Sequence, residues 1–301
     1  MSAEMFRVAM TKGSQKEIPK KRGNVDMDKR LKWVVKFLAG GLVALGASGH
    51  AQADGAKPDF ASSGTVKVCT AGDFPPMQYY KNPGDTDLVG FEIDVVDAIA
   101  KHWNAKAEFV VGDFKGLLPS LDSGRCDLVA SGIMITPARL EKYDGVPYFG
   151  SHVVLLVPKT DENSKTPEDV SGKVMAIEAG TTYEKTMADL NAKFVKDGKA
   201  EAVIQTYPSA SGVIEQILVG RAAGTITQDT TAAFRMLQMP DRLKIAYTYD
   251  ESETYGIYMR KSAGDRKLVK EAIEALQASR QMKTLLAKWG LPETSTDVAH
   301  D

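Results

Sequence analysis

Cysteine and histidine are both scarce in this chain, and each shortage closes off a class of chemistry. Among the 301 residues are two cysteines and four histidines. The histidines are scattered, without a second ligand at metal spacing, so no metal is expected, and no cofactor is expected either. Cys69 and Cys126 are too few for a disulfide framework. They could pair in an exported protein, but Cys69 lies in an expected strand over 66–70 and Cys126 at the start of another, at different heights, which favours two buried free thiols. No apolar run beyond the first fifty-odd residues is long enough to cross a membrane.

The first 53 residues read as a leader. Lys29, Arg30, Lys32 and Lys36 form a basic start, 37–47 an apolar stretch, and Ala51-Gln52-Ala53 a small-x-small cleavage site. We expect a signal peptide over 27–53, cleavage after Ala53, and a non-native or unstructured extension over 1–26. The apolar stretch is too short for a span, and no cysteine stands at the cleavage point to carry a lipid, so a product not inserted in a membrane is expected. The whole chain has 38 basic and 39 acidic residues; residues 1–53 hold 10 and 4 of these, leaving 28 against 35. A net charge of −7 on the remainder argues against nucleic acid or an anionic membrane as partner.

From residue 64 the pattern alternates short apolar strands with amphipathic helices, which predicts α/β architecture with mostly parallel sheets. Strands are expected over 66–70, 107–111 and 127–131; an apolar segment over 153–157 leads to a polar linker at 158–168, after which strands are expected over 173–177, 202–206 and 224–227. Helices are expected over 183–196, 212–219 and 231–237, and at the end over 266–277 and 282–289. Trp103 continues the helical stripe of Ile93, Val96 and Ala100 and is read as core. The last segment is too small to stand alone. It is expected to return to the first lobe, giving lobe 1 as 64–157 plus 247–292, lobe 2 as 158–246, and a double hinge. Two such lobes enclose a cleft that closes on its ligand.

Arg139 is the most informative single residue. It closes Ser131-Gly132-Ile133-Met134-Ile135-Thr136-Pro137-Ala138-Arg139, read as an apolar strand running into a small-residue turn. Ser131, Gly132 and the Met134 backbone would offer donors and the guanidinium a planar fork, a set suited to a carboxylate. Glu178-Ala179-Gly180-Thr181-Thr182 follows a strand and opens a helix, so Thr181, Thr182 and free N–H groups make a second anion site or an ordinary cap. Asp229 could accept from an ammonium or cap the following helix. Phe74 and Phe114 are loop aromatics at strand ends, either pocket walls or lobe packing.

These residues, together with Gly90-Phe91-Glu92-Ile93-Asp94, Leu117-Leu118-Pro119-Ser120-Leu121 and Lys288-Trp289-Gly290, resemble the periplasmic solute-binding proteins of polar amino-acid ABC transporters. The likeness runs from about Val66 to Trp289. It implies a two-lobed periplasmic-binding-protein fold of type II, a periplasmic location, an amino-acid ligand, a membrane permease as partner, and a monomer. It puts the ligand contacts on Phe74, Phe114, Ser131, Gly132, Met134, Arg139, Thr181, Thr182 and Asp229, with Glu178 as a further candidate. By the resemblance Arg139 takes the α-carboxylate and Asp229 the α-ammonium. Relatives that bind glutamine or basic amino acids usually carry an aspartate three residues before the loop aromatic, where this chain has Ala71. The alternatives are a cyclohexadienyl or arogenate dehydratase, which the Gly180-Thr181-Thr182-Tyr183-Glu184-Lys185 run resembles, and a subunit presenting ligand to a sensor. Where those dehydratases have a glutamate as general acid this chain has Ala232, and Val153 stands near the place of their lysine. No catalytic residue is therefore assigned.

Overall fold

The structure is a computed structural model and describes residues 56–299. The leader, its cleavage site and the extension before it lie outside the described residues.

Strand β1 (Thr65–Thr70) lies between β4 (Lys106–Val111) and β5 (Leu128–Val129), parallel to both, with Val68 opposite Phe109 on one side and Leu128 on the other. Helix α1 (Phe91–His102) buries Phe91, Val95, Val96 and Ile99 against this sheet. The helices α7 (Ala263–Ala278) and α8 (Gln281–Trp289) add Val269, Ile273, Met282 and Leu286 to the same core. Trp103 is 2 % exposed within it. Each large apolar side chain so buried contributes about 1.5–3 kcal/mol.

A second core forms around β7 (Val174–Glu178) and β8 (Val203–Tyr207), paired in parallel, and β9 (Thr225–Gln228). Helix α4 (Tyr183–Lys196) places Tyr183, Met187 and Phe194 on one face of this layer. Helix α5 (Ala210–Leu218) packs Val213, Ile214 and Ile217 on the other, where α6 (Asp229–Gln238) adds Ala232. The regular strands and helices of both cores fall within about three residues of the sequence expectation.

What joins the cores departs from that expectation. Instead of short segments, β6 (Tyr143–Pro158) and β10 (Leu243–Arg260) are long antiparallel strands paired from Tyr143↔Arg260 to Pro158↔Leu243. The large sheet is therefore mixed, in the order β4-β1-β5-β10-β6-β9. Val146, Tyr148 and Phe149 pack into the first core, whereas Val153, Leu155 and Val157 pack with Val170 and Ile177 in the second. The strand thus changes cores near Ser151, ahead of the boundary expected at residue 158. Register breaks between Thr248 and Ser252 and between Tyr255 and Gly256 mark the return crossing. A bulge at such a point re-aims the side chains that follow, which lets one strand serve two cores.

The cysteines are a second correction. Cys69 and Cys126 form a disulfide with Cα atoms 5.7 Å apart. The strand expected to start at Cys126 is only Leu128–Val129, so Cys126 lies in the loop before it and is freed from the register that made the two heights look incompatible.

Candidate functional site

Arg139 does not end a strand. Thr136 and Pro137 start a short helix, α3 (Pro137–Lys142), in which the Thr136 hydroxyl accepts from the Arg139 N–H at 3.3 Å and proline takes the first position. A Thr-Pro pair before a polar run is a cap signal that the sequence carried. The cap fixes Arg139 in the first turn, and its guanidinium donates to the Met134 carbonyl at 2.9 Å and to the Gly180 carbonyl at 3.1 Å. Met134 belongs to the first core and Gly180 to the loop after β7, so this one side chain spans the cleft. Both acceptors are neutral, and among the described residues Arg139 forms no ion pair. Burial lowers its pKa and outweighs the opposing influence of the Tyr258 hydroxyl and of the Glu253 carboxylate, which lies beyond ion-pair distance.

Phe74, Phe114, Ser131, Gly132, Met134, Thr181, Thr182 and Glu178 line one cavity with Arg139. The space among these side chains is ≈ 380 Å³ including its mouth, but only ≈ 20 Å³ is open to the centre of a water molecule. That is room for about one water, so a ligand must displace the Arg139–Gly180 contact or part the lobes. Asp229 is not in the lining. It is the first residue of α6, and its carboxylate accepts from the Ser151 hydroxyl at 2.6 Å, on the strand where β6 changes cores.

The donors sort themselves by what they already bind. Gly132 does not offer a free N–H: its amide donates to both carboxyl oxygens of Glu92, at 3.1 and 3.0 Å. Its φ of +58° and the approach of Phe74, 3.0 Å from where a Cβ would stand, require glycine. Ser131 accepts from the Ala71 N–H at 2.9 Å and from the Gln78 amide at 3.0 Å, which leaves its own O–H to donate. Thr182 does not cap α4 with its side chain; its hydroxyl is buried, lines the cavity and has no partner. Thr181 is committed to the Glu178 carbonyl at 2.7 Å, and the Gly180 N–H to Glu184 at 2.5 Å. One guanidinium and the hydroxyls of Ser131 and Thr182 are therefore among the donors open to a ligand.

Several residues here had not been singled out. Gln78 and Tyr183 line the cavity, and Glu92 holds Gly132 from behind while accepting from the Tyr148 hydroxyl at 2.5 Å. Outside the cavity a second set of contacts bridges the cleft. Ser211 N–H donates to the Asp73 carboxylate at 2.7 Å, Arg235 donates to the Asp73 carbonyl at 3.1 Å, and Tyr79 meets Phe234 edge-on at 5.3 Å. Nothing in the local sequence pattern flags these, because each depends on the other lobe.

Two α/β lobes joined by a pair of crossing strands, with a half-buried cation in the cleft, define the class of two-lobed solute-binding proteins. The sequence matches the bacterial extracellular solute-binding proteins, family 3, over residues 66–292, and the chain belongs to that family. It is similar to the L-cystine-binding protein TcyJ of Escherichia coli (strain K12), 29 % identical over 75 % of this chain and 82 % of that protein. Among solved structures it is similar to an ancestral arginine-binding protein bound to arginine, with 30 % identity, a TM-score of 0.69, and coverage of 75 % of this chain and 98 % of the other. It is also similar to the ancestral amino-acid-binding protein AncCDT-1, a precursor of cyclohexadienyl dehydratase, with 27 % identity, a TM-score of 0.67, and coverage of 76 % and 97 %. The fold is thus the type II two-lobed fold, and the role is solute binding. Among the described residues no helix is long and apolar enough to cross a membrane.

Proposed function

We propose that the protein captures an α-amino acid in the interlobe cleft in the periplasm and delivers it to the permease of an ABC transporter. The observation that carries this reading is Arg139: a half-buried guanidinium that forms no ion pair among the described residues, in a cavity shared with two hydroxyls that are free to donate. A ligand α-carboxylate supplies the missing charge, and exchanging neutral carbonyl contacts for charge-assisted ones favours the liganded state. The relatives named above as binding proteins support the ligand class. Asp229 is the proposed acceptor of the ammonium once the ligand draws it from Ser151. Catalysis is disfavoured by Ala232, which is fully buried in apolar packing at the position where a dehydratase general acid would be needed.

Thermal-shift screening against the twenty amino acids tests the reading, because a ligand held only by the folded state raises the Tm. Arg139→Ala should abolish the shift, and Arg139→Lys, which keeps the charge but not the fork, should weaken binding about a hundredfold. No shift with any amino acid, or full affinity in Arg139→Ala, overturns it.

A further inference from the structure

The cavity has chemistry that a grip on a carboxylate leaves unused. Glu178 ends β7 at 9 % exposure in the lining, and Gln78, fully buried in the same lining, carries a side-chain oxygen without a hydrogen-bond partner. Both are acceptors. Among the described residues Glu178 forms no ion pair, and the charges that act on it are the carboxylates of Asp73 and Asp113, not Arg139. One cavity therefore holds a guanidinium and a carboxyl group that do not pair with each other.

We propose that Glu178, assisted by the free oxygen of Gln78, is a subsite for a cationic side chain, so that the ligand is an amino acid carrying a second positive charge at its far end. This rests on the amino-acid reading of the cleft and extends it to the ligand's side chain. The α-carboxylate on Arg139 and a distal ammonium or guanidinium on Glu178 would satisfy both charges at once. A neutral side chain would leave Glu178 as an uncharged acid with at most one hydrogen bond to offer.

The groups around Glu178 make the binding proton-linked. Burial, then repulsion from Asp73 on β2 (Asp73–Phe74) and from Asp113 beyond β4, push its carboxyl up to about 8; the Ala210 N–H at the start of α5 works in the opposite direction. Tyr183, on α4, stays neutral across this range because burial raises its own pKa. Lys115, whose Cα would stand 2.9 Å from a Cβ on Gly180, is exposed. At neutral pH the empty site thus holds a protonated Glu178, and an arriving cation expels that proton to the solvent. Cation affinity should rise about tenfold per pH unit below pH 8 and level off above it.

Isothermal titration calorimetry with two isosteric pairs, L-arginine against L-citrulline and L-lysine against L-norleucine, separates the possibilities. We expect one cationic member to bind at least a hundredfold more tightly than its neutral partner. At pH 7 its binding should release close to one proton, measured by repeating the titration in buffers of different ionisation enthalpy. In Glu178→Gln that preference should collapse to within about threefold, with the proton release lost and the Tm of the free protein retained. Equal affinity for the members of both pairs overturns the proposal, as does an equal loss for charged and neutral ligands in Glu178→Gln, which would place the α-ammonium on Glu178. Either result leaves the amino-acid reading standing. If the wild-type protein binds none of the four and no other amino acid, that reading falls with it.

Discussion

Replacing Glu92 with glutamine should flatten the pH dependence of stability by a definite amount. Glu92 is fully buried, and burial pushes its carboxyl up to about 7 from an ordinary 4.5, against the lowering effect of the Tyr148 hydroxyl and the Gly132 N–H. A folded-state pKa above the unfolded one means that the fold prefers the protonated acid. The stabilisation is complete below about pH 4.5 and is lost as pH rises through 7. A shift of about 2.5 units corresponds to about 3 kcal/mol. Glutamine keeps the acceptor for Gly132 and Tyr148 but cannot ionise, and any cost of its unmatched amide is constant with pH. Urea unfolding of both proteins without ligand at pH 5 and pH 8.5 measures the difference. Glu178 titrates in the same direction in both proteins, so the change in the gap between them isolates Glu92. The gap should move by about 2.5 kcal/mol in favour of the variant at the higher pH, because part of the stabilisation is already lost at pH 5. Parallel pH profiles would show that Glu92 is already ionised in the folded protein and would refute the reasoning.

Two further outcomes rest on contacts away from the cavity. Arg235 joins Asp73 and Ser211 across the cleft without lining the cavity, so Arg235→Ala should weaken every ligand by the same factor, about tenfold, without changing their rank order. Small-angle scattering should show a more open free protein, and a change of rank in titration calorimetry would argue against a contact that acts only on closure. The Cys69–Cys126 bridge closes a sequence separation of 57, which chain entropy values at about 4 kcal/mol. The double serine variant should lose stability of that order in urea, and an unchanged midpoint would mean that the bridge constrains little in the unfolded chain.

The elements that bury one face against one core were legible in the sequence. Helix α4, with Tyr183, Met187 and Phe194 on one face, coincides with the expected span, because its periodicity answers to a single neighbour. Strands β6 and β10 were legible only in part. Each serves two cores, and β6 buries two unbroken runs, 145–149 and 153–157, in place of a simple alternation, so a pattern search finds a fragment where the chain makes a 16- or 18-residue strand. Arg139 was recognised as a residue but misplaced as a strand end, since the Thr136-Pro137 cap was read as a turn. Glu92 looked like an ordinary acid in the first turn of a helix; its burial is set by Tyr148, 56 residues further along, which no local window contains.

The same distinction explains why the ligand's two ends were unequally visible. The proposed carboxylate grip is concentrated in one segment of the first core, 131–139, where donor, turn and guanidinium adjoin in sequence and can be recognised together. The opposite charge is carried by the second core, at the end of β7, and acquires its character from Asp73 and Asp113 across the cleft. Neither end alone fixes the distance between them. In the closed lobes that distance is set by Arg139 reaching the Gly180 carbonyl, two residues beyond Glu178. A ligand charged at both ends would therefore take over the contact that Arg139 makes for itself. Its length, and not only its charge, would then decide how far the lobes close, which couples recognition of the side chain to the closed shape that a transporter partner would read.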